Sequence, residues 1–309
     1  MRTRVALLVL VAAASALVGQ ASAAERQVPP MLVFERSGDL YRMTIDGSET
    51  VRLTATKAVE ADPAVSSDGL RIAFTRGTRQ GTDELWVADL QGNGQRKIVP
   101  ARPRSVRYAS TGNPAWSPDD RWIYLDRAAQ GPNEICGWIY RVRPDGRSLR
   151  RVTRGVHIDS RPAPAPDGGR IALTNGGCEP GAECCWIGVV DLGGNPTSGL
   201  KMPTTRGAQF GPSWSPDGAR LAFEVSDLDV GTSSIQVVDR DGSHLARLTP
   251  RGLNAEEPAW SPDGEWIAFA AWRKGAGYDL YVVHPDGSGL QRVTRTKADE
   301  FSPSWARRT

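Results

Sequence analysis

The chain has 309 residues, with 33 glycines, 22 prolines and 39% apolar residues. That length suits one large all-β domain or two smaller ones, and the composition points to many short strands joined by tight turns rather than to disorder. Ten tryptophans against six phenylalanines suggest a repeated tryptophan position, and 38 Lys+Arg against 35 Asp+Glu leave a formal charge of only +3.

The chain opens with a basic Met1–Arg4, an apolar run over Val5–Val18 and "ASA" at Ala21–Ala23. This pattern predicts a secretory signal peptide over residues 1–23; an uncleaved anchor is the alternative. Losing Arg2 and Arg4 leaves 36 basic against 35 acidic residues, a charge of +1. A near-neutral chain lacks the field of a nucleic-acid binder, so no nucleic-acid partner is expected. No other stretch approaches the roughly 20 apolar residues of a membrane span. The mature chain, 24–309, is therefore expected to be exported, periplasmic or secreted, with no stable membrane insertion.

The first strands fall in "MLVFERSGDLYRMTIDGSETVRLT", Met31–Thr54, which holds three period-2 runs. A repeated unit follows. Its register residue is Val65 in "PAVSSDGLRIAF", Trp116 in "PAWSPDDRWIYL", Pro164 in "PAPAPDGGRIAL", then Trp214, Trp260 and Trp305, at spacings of 51, 48, 50, 46 and 45. Each unit predicts a strand ending at that position, an SPDG-like turn, an alternating run such as "LAFEV", a polar loop, a run such as "LYVV", and a fourth strand ending in "LT" or "VT". Pro presets φ for such a turn, Asp bonds nearby backbone, and Gly accepts φ > 0; Asp120 takes the Gly place in one copy. The chain stops at "FSPSWARRT", a first strand alone. A period near 50 marks a propeller or solenoid. Three strands at the front and one at the back predict a six-bladed β-propeller closed by a shared blade, which leaves no exposed ends to cap.

These motifs, Trp214–Gly218, Trp260–Gly264, the "IAF" strands, Leu280–Val283 and the closing "LT" or "VT", resemble the WD40-like PD40 repeats of the TolB-type β-propeller. The resemblance covers about residues 29–309. It implies the fold and an envelope protein that binds protein. The resemblance also leads one to expect that the N-terminal α/β domain of TolB, and the hydrolase domain that follows similar propellers in prolyl-oligopeptidase-type peptidases, are missing here.

No GxSxG elbow, Walker A motif or dinucleotide fingerprint is present. His244 and His284 sit beside hairpin turns and read as exposed outer residues. His157 enters a first strand, but one His makes no metal site. Cys136, Cys178, Cys184 and Cys185 suit an exported chain with two disulfides. Register favours one disulfide within the Cys178–Cys185 loop and one through Cys136; which of Cys184 and Cys185 joins which is open.

The candidate binding surface is the segment entering each first strand. Three residues before each Pro of the "PAW" motif stand Glu60, Thr111, Asp159, Gln209, Ala255 and Glu300, with Asp62, Glu256, Glu257 and Asp299 nearby. Glu60, Asp62, Asp159, Glu256, Glu257, Asp299 and Glu300 are expected to form an acidic channel mouth. Such a mouth attracts Lys/Arg-rich peptide ends or a hard cation such as Ca²⁺, although no cofactor or bound metal is required. The leading reading is a monomeric, non-enzymatic propeller that binds an envelope or extracellular protein or peptide there. The alternative is a lyase- or hydrolase-type propeller, or a carbohydrate-binding one, acting on an extracellular polymer. A third reading places specificity in the hairpin loops near 128–137 and 175–185.

Overall fold

The computed structural model describes residues 31–78, 83–100, 109–130, 135–154, 157–177, 185–197, 200, 202–203, 205–227, 229–273 and 275–306. The predicted signal segment lies outside them, as do Cys178 and Cys184. The described residues are all strand, turn and loop.

One sheet has the order β23-β1-β2-β3, joining β1 (Met31–Arg36), β2 (Asp39–Thr44) and β3 (Thr50–Arg52) to the last strand, β23 (Glu300–Ala306). A second holds β4 (Glu60–Val65), β5 (Arg71–Gly77), β6 (Asp83–Asp89) and β7 (Arg96–Val99). A seven-stranded sheet combines β8 (Ala109–Trp116), β9 (Ile123–Gln130), β10 (Ile135–Val142) and β11 (Arg150–Arg151) with β12 (His157–Pro164), β13 (Arg170–Gly177) and β14 (Trp186–Asp191). Its two halves meet only through a parallel bridge, Gly137 to Ile158. A Cβ at Gly137 would lie 3.3 Å from Asp159 O and from the Ile158 side chain, so a larger residue would push the halves apart. Then come β15 (Ala208–Trp214), β16 (Arg220–Asp227), β17 (Thr232–Asp239) and β18 (Ala246–Arg247), and finally β19 (Asn254–Trp260), β20 (Ile267–Trp272), β21 (Asp279–Val283) and β22 (Gln291–Arg292). All other pairings are antiparallel meanders of neighbours in sequence, apart from that of β1 with β23.

The SPDG turn is closed by its serine. Ser261 Oγ accepts Trp266 N–H at 2.9 Å and donates to Asp263 Oδ1 at 2.5 Å, while the same carboxylate oxygen accepts Glu265 N–H. Ser117 and Ser215 repeat the arrangement. Asp120, at φ 55°, turns its carboxylate to the preceding unit and accepts the N–H groups of Ser67 and Asp68. The closing threonine is equally regular. Thr54, Thr153, Thr249 and Thr294 accept the N–H groups of Leu40, Ile139, Ile235 and Leu280. Where no such Thr closes the unit of β14, Gln209 Oε1 takes Ile187 N–H instead.

Neighbouring units are joined by the repeated indole. Trp116, Trp214 and Trp305 donate Nε1–H to the carbonyls of Ala64, Ala163 and Ala259 at 2.9, 3.1 and 2.8 Å. Each indole packs with a small residue from the second strand of the previous unit: Ala73 with Trp116, Ala172 with Trp214, Ala222 with Trp260, Ala268 with Trp305. Where Pro164 replaces the indole, the facing alanine position is Tyr124, and the two border one cleft. Packing at native density forces this exchange of volume across the seam.

Ser261→Ala should cost about 1–3 kcal/mol, because Ser261 is 1% exposed and its loss leaves Trp266 N–H without its acceptor. The denaturant midpoint reads this. The far-ultraviolet spectrum should not change, because Ala165 already closes the same turn through its own N–H to Arg170 O.

Candidate functional site

Every first strand carries the same defect. The pairing register slips between Ala61 and Ala64, Gly112 and Ala115, Ser160 and Ala163, Phe210 and Ser213, Glu256 and Ala259, and across Phe301–Ser304. In each slip lies an X–Pro pair. Proline has no N–H to give the ladder, so it is tolerated where a bulge already interrupts the ladder. The residue before it is left-handed in all six: Asp62 φ 50°, Asn113 47°, Arg161 50°, Gly211 53°, Glu257 57° and Ser302 52°. A non-glycine residue there costs on the order of 1 kcal/mol, and five of the six are not glycine.

These six residues and their prolines line one cavity of about 170 Å³. The bulges turn backbone N–H groups out of their own ladders toward the neighbouring unit. Asp62 Oδ2 accepts Asn113 N–H at 3.3 Å and Asp126 Oδ1 accepts Arg161 N–H at 3.1 Å. Thr174 Oγ1 accepts Gly211 N–H at 3.1 Å and Glu257 Oε2 accepts Ser302 N–H at 2.7 Å. The cavity wall is thus a relay in which one unit's side chain holds the next unit's backbone.

The electrostatics are lopsided. Asp62 and Glu257 line the cavity, backed by Asp126 and Glu224, which are 7% and 6% exposed. Among the described residues the lining cation is Arg161, 3.5 Å from Glu257 and 3.9 Å from Glu224. Burial raises the Asp62 pKa from 3.8 to about 6, helped by the Glu257 charge and opposed by the Asn113 N–H. Burial, then the charges of Asp62 and Glu257, lift Glu35 from 4.5 to about 7. Burial also raises Asp126 and Glu224. Carboxylates surrounding Arg161 outweigh its own burial and hold its guanidinium firmly protonated.

Of the residues singled out in the sequence, Asp62 and Glu257 line this cavity. Glu256 is half-buried and accepts from Tyr278 Oη at 3.2 Å and Ser233 Oγ at 3.4 Å. Glu60 and Glu300 are wholly buried: Glu60 pairs with Arg76 at 2.7 Å, Glu300 with Arg36 at 2.9 Å and with Thr294 and Thr296. Asp159 is buried and accepts Asn175 Nδ2–H. Asp299 is exposed and accepts Tyr278 N–H. The aligned position three residues before Pro therefore faces the interior, and the position immediately before Pro faces the cavity. Arg161, Asn113, Glu35, Asp126 and Glu224 were missed. Glu35, Asp126 and Glu224 share a signal, each following the apolar triplet of the second strand, as in "LVFE", "IYLD" and "LAFE".

Among the described residues no three His, Cys, Asp or Glu side chains are arranged to hold a metal ion. The His157 side chain lies outside the description; His244 meets Asp239 at 2.7 Å, and His284 stacks on Trp266 at 3.8 Å. Cys136 is buried on β10 and Cys185 lies against Gly176.

Residues 196–309 match the TolB beta propeller domain, PD40. A TolB homolog of Chlorobium luteolum is 32% identical over 149 residues, 47% of this chain and 31% of that protein. An uncharacterised protein of Agrobacterium fabrum is 26% identical over 163 residues, 51% of this chain and 52% of that one. These alignments thus span about half or less of either curated relative. Among solved structures, TolB from Acinetobacter baumannii superposes with a TM-score of 0.72 at 20% identity, covering 90% of this chain and 66% of that one. Residues 196–309 thus carry repeats similar to those of the TolB propeller domain, and the fold is similar to that of TolB.

An acid whose pKa rises on folding stabilises the folded chain while protonated, and that contribution fades as pH climbs to the folded value. For Glu35 the window runs from 4.5 to about 7, and for Asp62 from 3.8 to about 6. Stability from these groups should therefore fall between mildly acidic and neutral pH. Glu35→Gln should raise the melting temperature above neutrality and flatten this slope, as paired thermal melts across the window would read.

Proposed function

We propose that this TolB-type propeller is an exported, monomeric, six-bladed ring over residues 24–309, closed by the sheet that β23 and β1 share, and that it binds a cationic segment of an envelope or extracellular protein at the X–Pro cavity. The observation that carries the reading is the convergence of six left-handed X–Pro positions, five of them non-glycine and strained, on one cavity with an excess of carboxylates. Strain kept at the equivalent position of five units, where the sixth takes glycine as the relaxed choice, fits a functional wall better than a structural one. The polarity fits a lysine or arginine side chain, or a chain amino terminus, entering along the axis. Asp62 and Glu257 are the proposed receptors, with Glu256 beside them; Glu60, Asp159 and Glu300 support the wall from within, and Asp299 lies outside it. Binding rather than catalysis is proposed, since the cavity groups are carboxylates already committed to backbone N–H groups. The disulfides through Cys136, Cys178, Cys184 and Cys185 remain part of this proposal as staples of an exported chain.

The test is calorimetry of the purified chain with a lysine-containing peptide and its acetylated, uncharged counterpart. Glu257→Gln keeps an acceptor for Ser302 N–H while removing the charge. It should weaken the charged peptide about tenfold and leave the uncharged one unaffected. Equal binding of the two peptides, or no loss in Glu257→Gln at unchanged melting temperature, would overturn the reading.

A further inference from the structure

A second candidate site lies where β8–β11 meets β12–β14, beside the arginine-rich hairpin that joins β10 to β11. A cleft of about 400 Å³ opens there, within the range of specific ligand sites. Its floor is apolar and aromatic, including Trp122, Tyr124, Pro118, Pro164 and Leu192; Arg141 and Arg170 reach its wall, as do Asp119, bonded to Ser117 Oγ, and Asp167, bonded to Arg170. It exists because Pro164 stands where other units carry an indole. Tyr124 fills only part of the missing volume.

The rim is basic in a way no other described unit repeats. Three guanidiniums crowd one indole: Arg141, Arg143 and Arg150 lie 4.6, 4.9 and 5.6 Å from the Trp122 ring centre. Among the described residues none of the three has a carboxylate partner, and Arg141 Nε is buried with no hydrogen-bond acceptor. Arg170, by contrast, is already paired with Asp167. The hairpin Arg141–Arg154 carries six arginines against Asp145, whereas the equivalent Val237–Pro250 carries two arginines and two aspartates. Cations gathered on one ring repel each other, and the ring quadrupole offsets only part of that. An incoming anion completes the balance, and guanidinium forks are shaped for carboxylates.

We infer that this cleft and the β10–β11 edge bind an acidic peptide segment of a partner protein, its carboxylates on Arg141, Arg143 and Arg150 and an apolar side chain on the Trp122–Pro164 floor. The spread of charge along the hairpin calls for several carboxylates on one chain, and the apolar floor calls for a side chain that a bare ion lacks. This inference does not depend on the cationic-segment reading of the axial cavity.

Fluorescence anisotropy of the full chain tests it with three labelled probes: a Glu-rich peptide with a central Leu, its Gln-for-Glu counterpart, and a single-stranded oligouridine. The Glu peptide should bind and the Gln peptide should not, with affinity falling as salt rises. Arg143→Gln with Arg150→Gln, at exposed or half-buried positions, should weaken the Glu peptide about tenfold. Leu192→Glu, which places a carboxylate at the exposed margin of the apolar floor, should do the same, and the exposed Arg273→Gln, which does not line the cleft, should not. Melting temperatures confirm folding of each variant. Equal binding of the Glu and Gln peptides, unchanged affinity in both rim variants, or tighter binding of oligouridine than of the Glu peptide would overturn the inference; the last would assign the patch to phosphate.

Discussion

The proline in each innermost strand is the constraint on which the rest depends. It has no N–H to give a ladder, so it sits where the strand bulges, and at that bulge the preceding residue stands at φ near 50°. That geometry does two things at once. It brings six side chains to one cavity, and it rotates their N–H groups toward the adjoining unit, where Asp62, Asp126, Thr174 and Glu257 receive them. The acidic groups that give the cavity its charge are therefore also the groups that knit the units together at the axis. Under the proposed function stability and recognition share the same atoms, and a substitution chosen to probe one has to preserve the acceptor needed by the other.

Concentrating carboxylates this way has an electrostatic cost that Arg161 meets only in part. Its guanidinium lies 3.5 Å from Glu257 and 3.9 Å from Glu224, longer than a tight bidentate pair. Burial first, and the neighbouring carboxylates second, lift Glu35 and Asp62 to about 7 and about 6, so in mildly acidic solution they keep protons that surface acids would release. A positive group entering the cavity would favour release of those protons. The proposed cation binding would thereby be coupled to pH through residues that belong to two different sheets.

Much of the architecture was legible because turns and seams are written locally. The SPDG serine, the closing threonine and the repeated tryptophan each bond a backbone group at a fixed offset, so spacing alone recovers their register. The site was only partly legible. Asp62 and Glu257 stood among the expected acids, but counting three residues before Pro picked out Glu60 and Glu300, which the structure buries against Arg76 and Arg36. Strand alternation would place positions one and three before Pro on the same face. The bulge adds a residue between them and reverses that relation, and a one-residue slip is what period-2 reasoning cannot absorb. Glu35, Asp126 and Glu224 escaped for a different reason: they lie on second strands, remote in sequence from the prolines they face.

A formal charge of only +3 hides a cavity lined by more carboxylates than cations and a hairpin, Arg141–Arg154, rich in arginine. In solution at about 0.1 M salt, charges more than about 10 Å apart are largely screened, so a partner responds to the local field rather than to the sum. The two regions arise from opposite departures from the repeat. At the axis, Asp126, Glu224 and Glu35 stand where other units place Thr75, Thr174 and Ala270. Beside the cleft, an indole is lost at Pro164, while Trp122, at a place that holds Arg71, Arg170 and Arg220 in three units and Trp266 in another, gathers guanidiniums from β10 and β11. Where the units agree, their shared residues serve the seams and turns; where they disagree, the differences are in charge and open space. Recognition in a repeat protein is therefore better sought in the residues that break the pattern than in the pattern that first makes the chain recognisable.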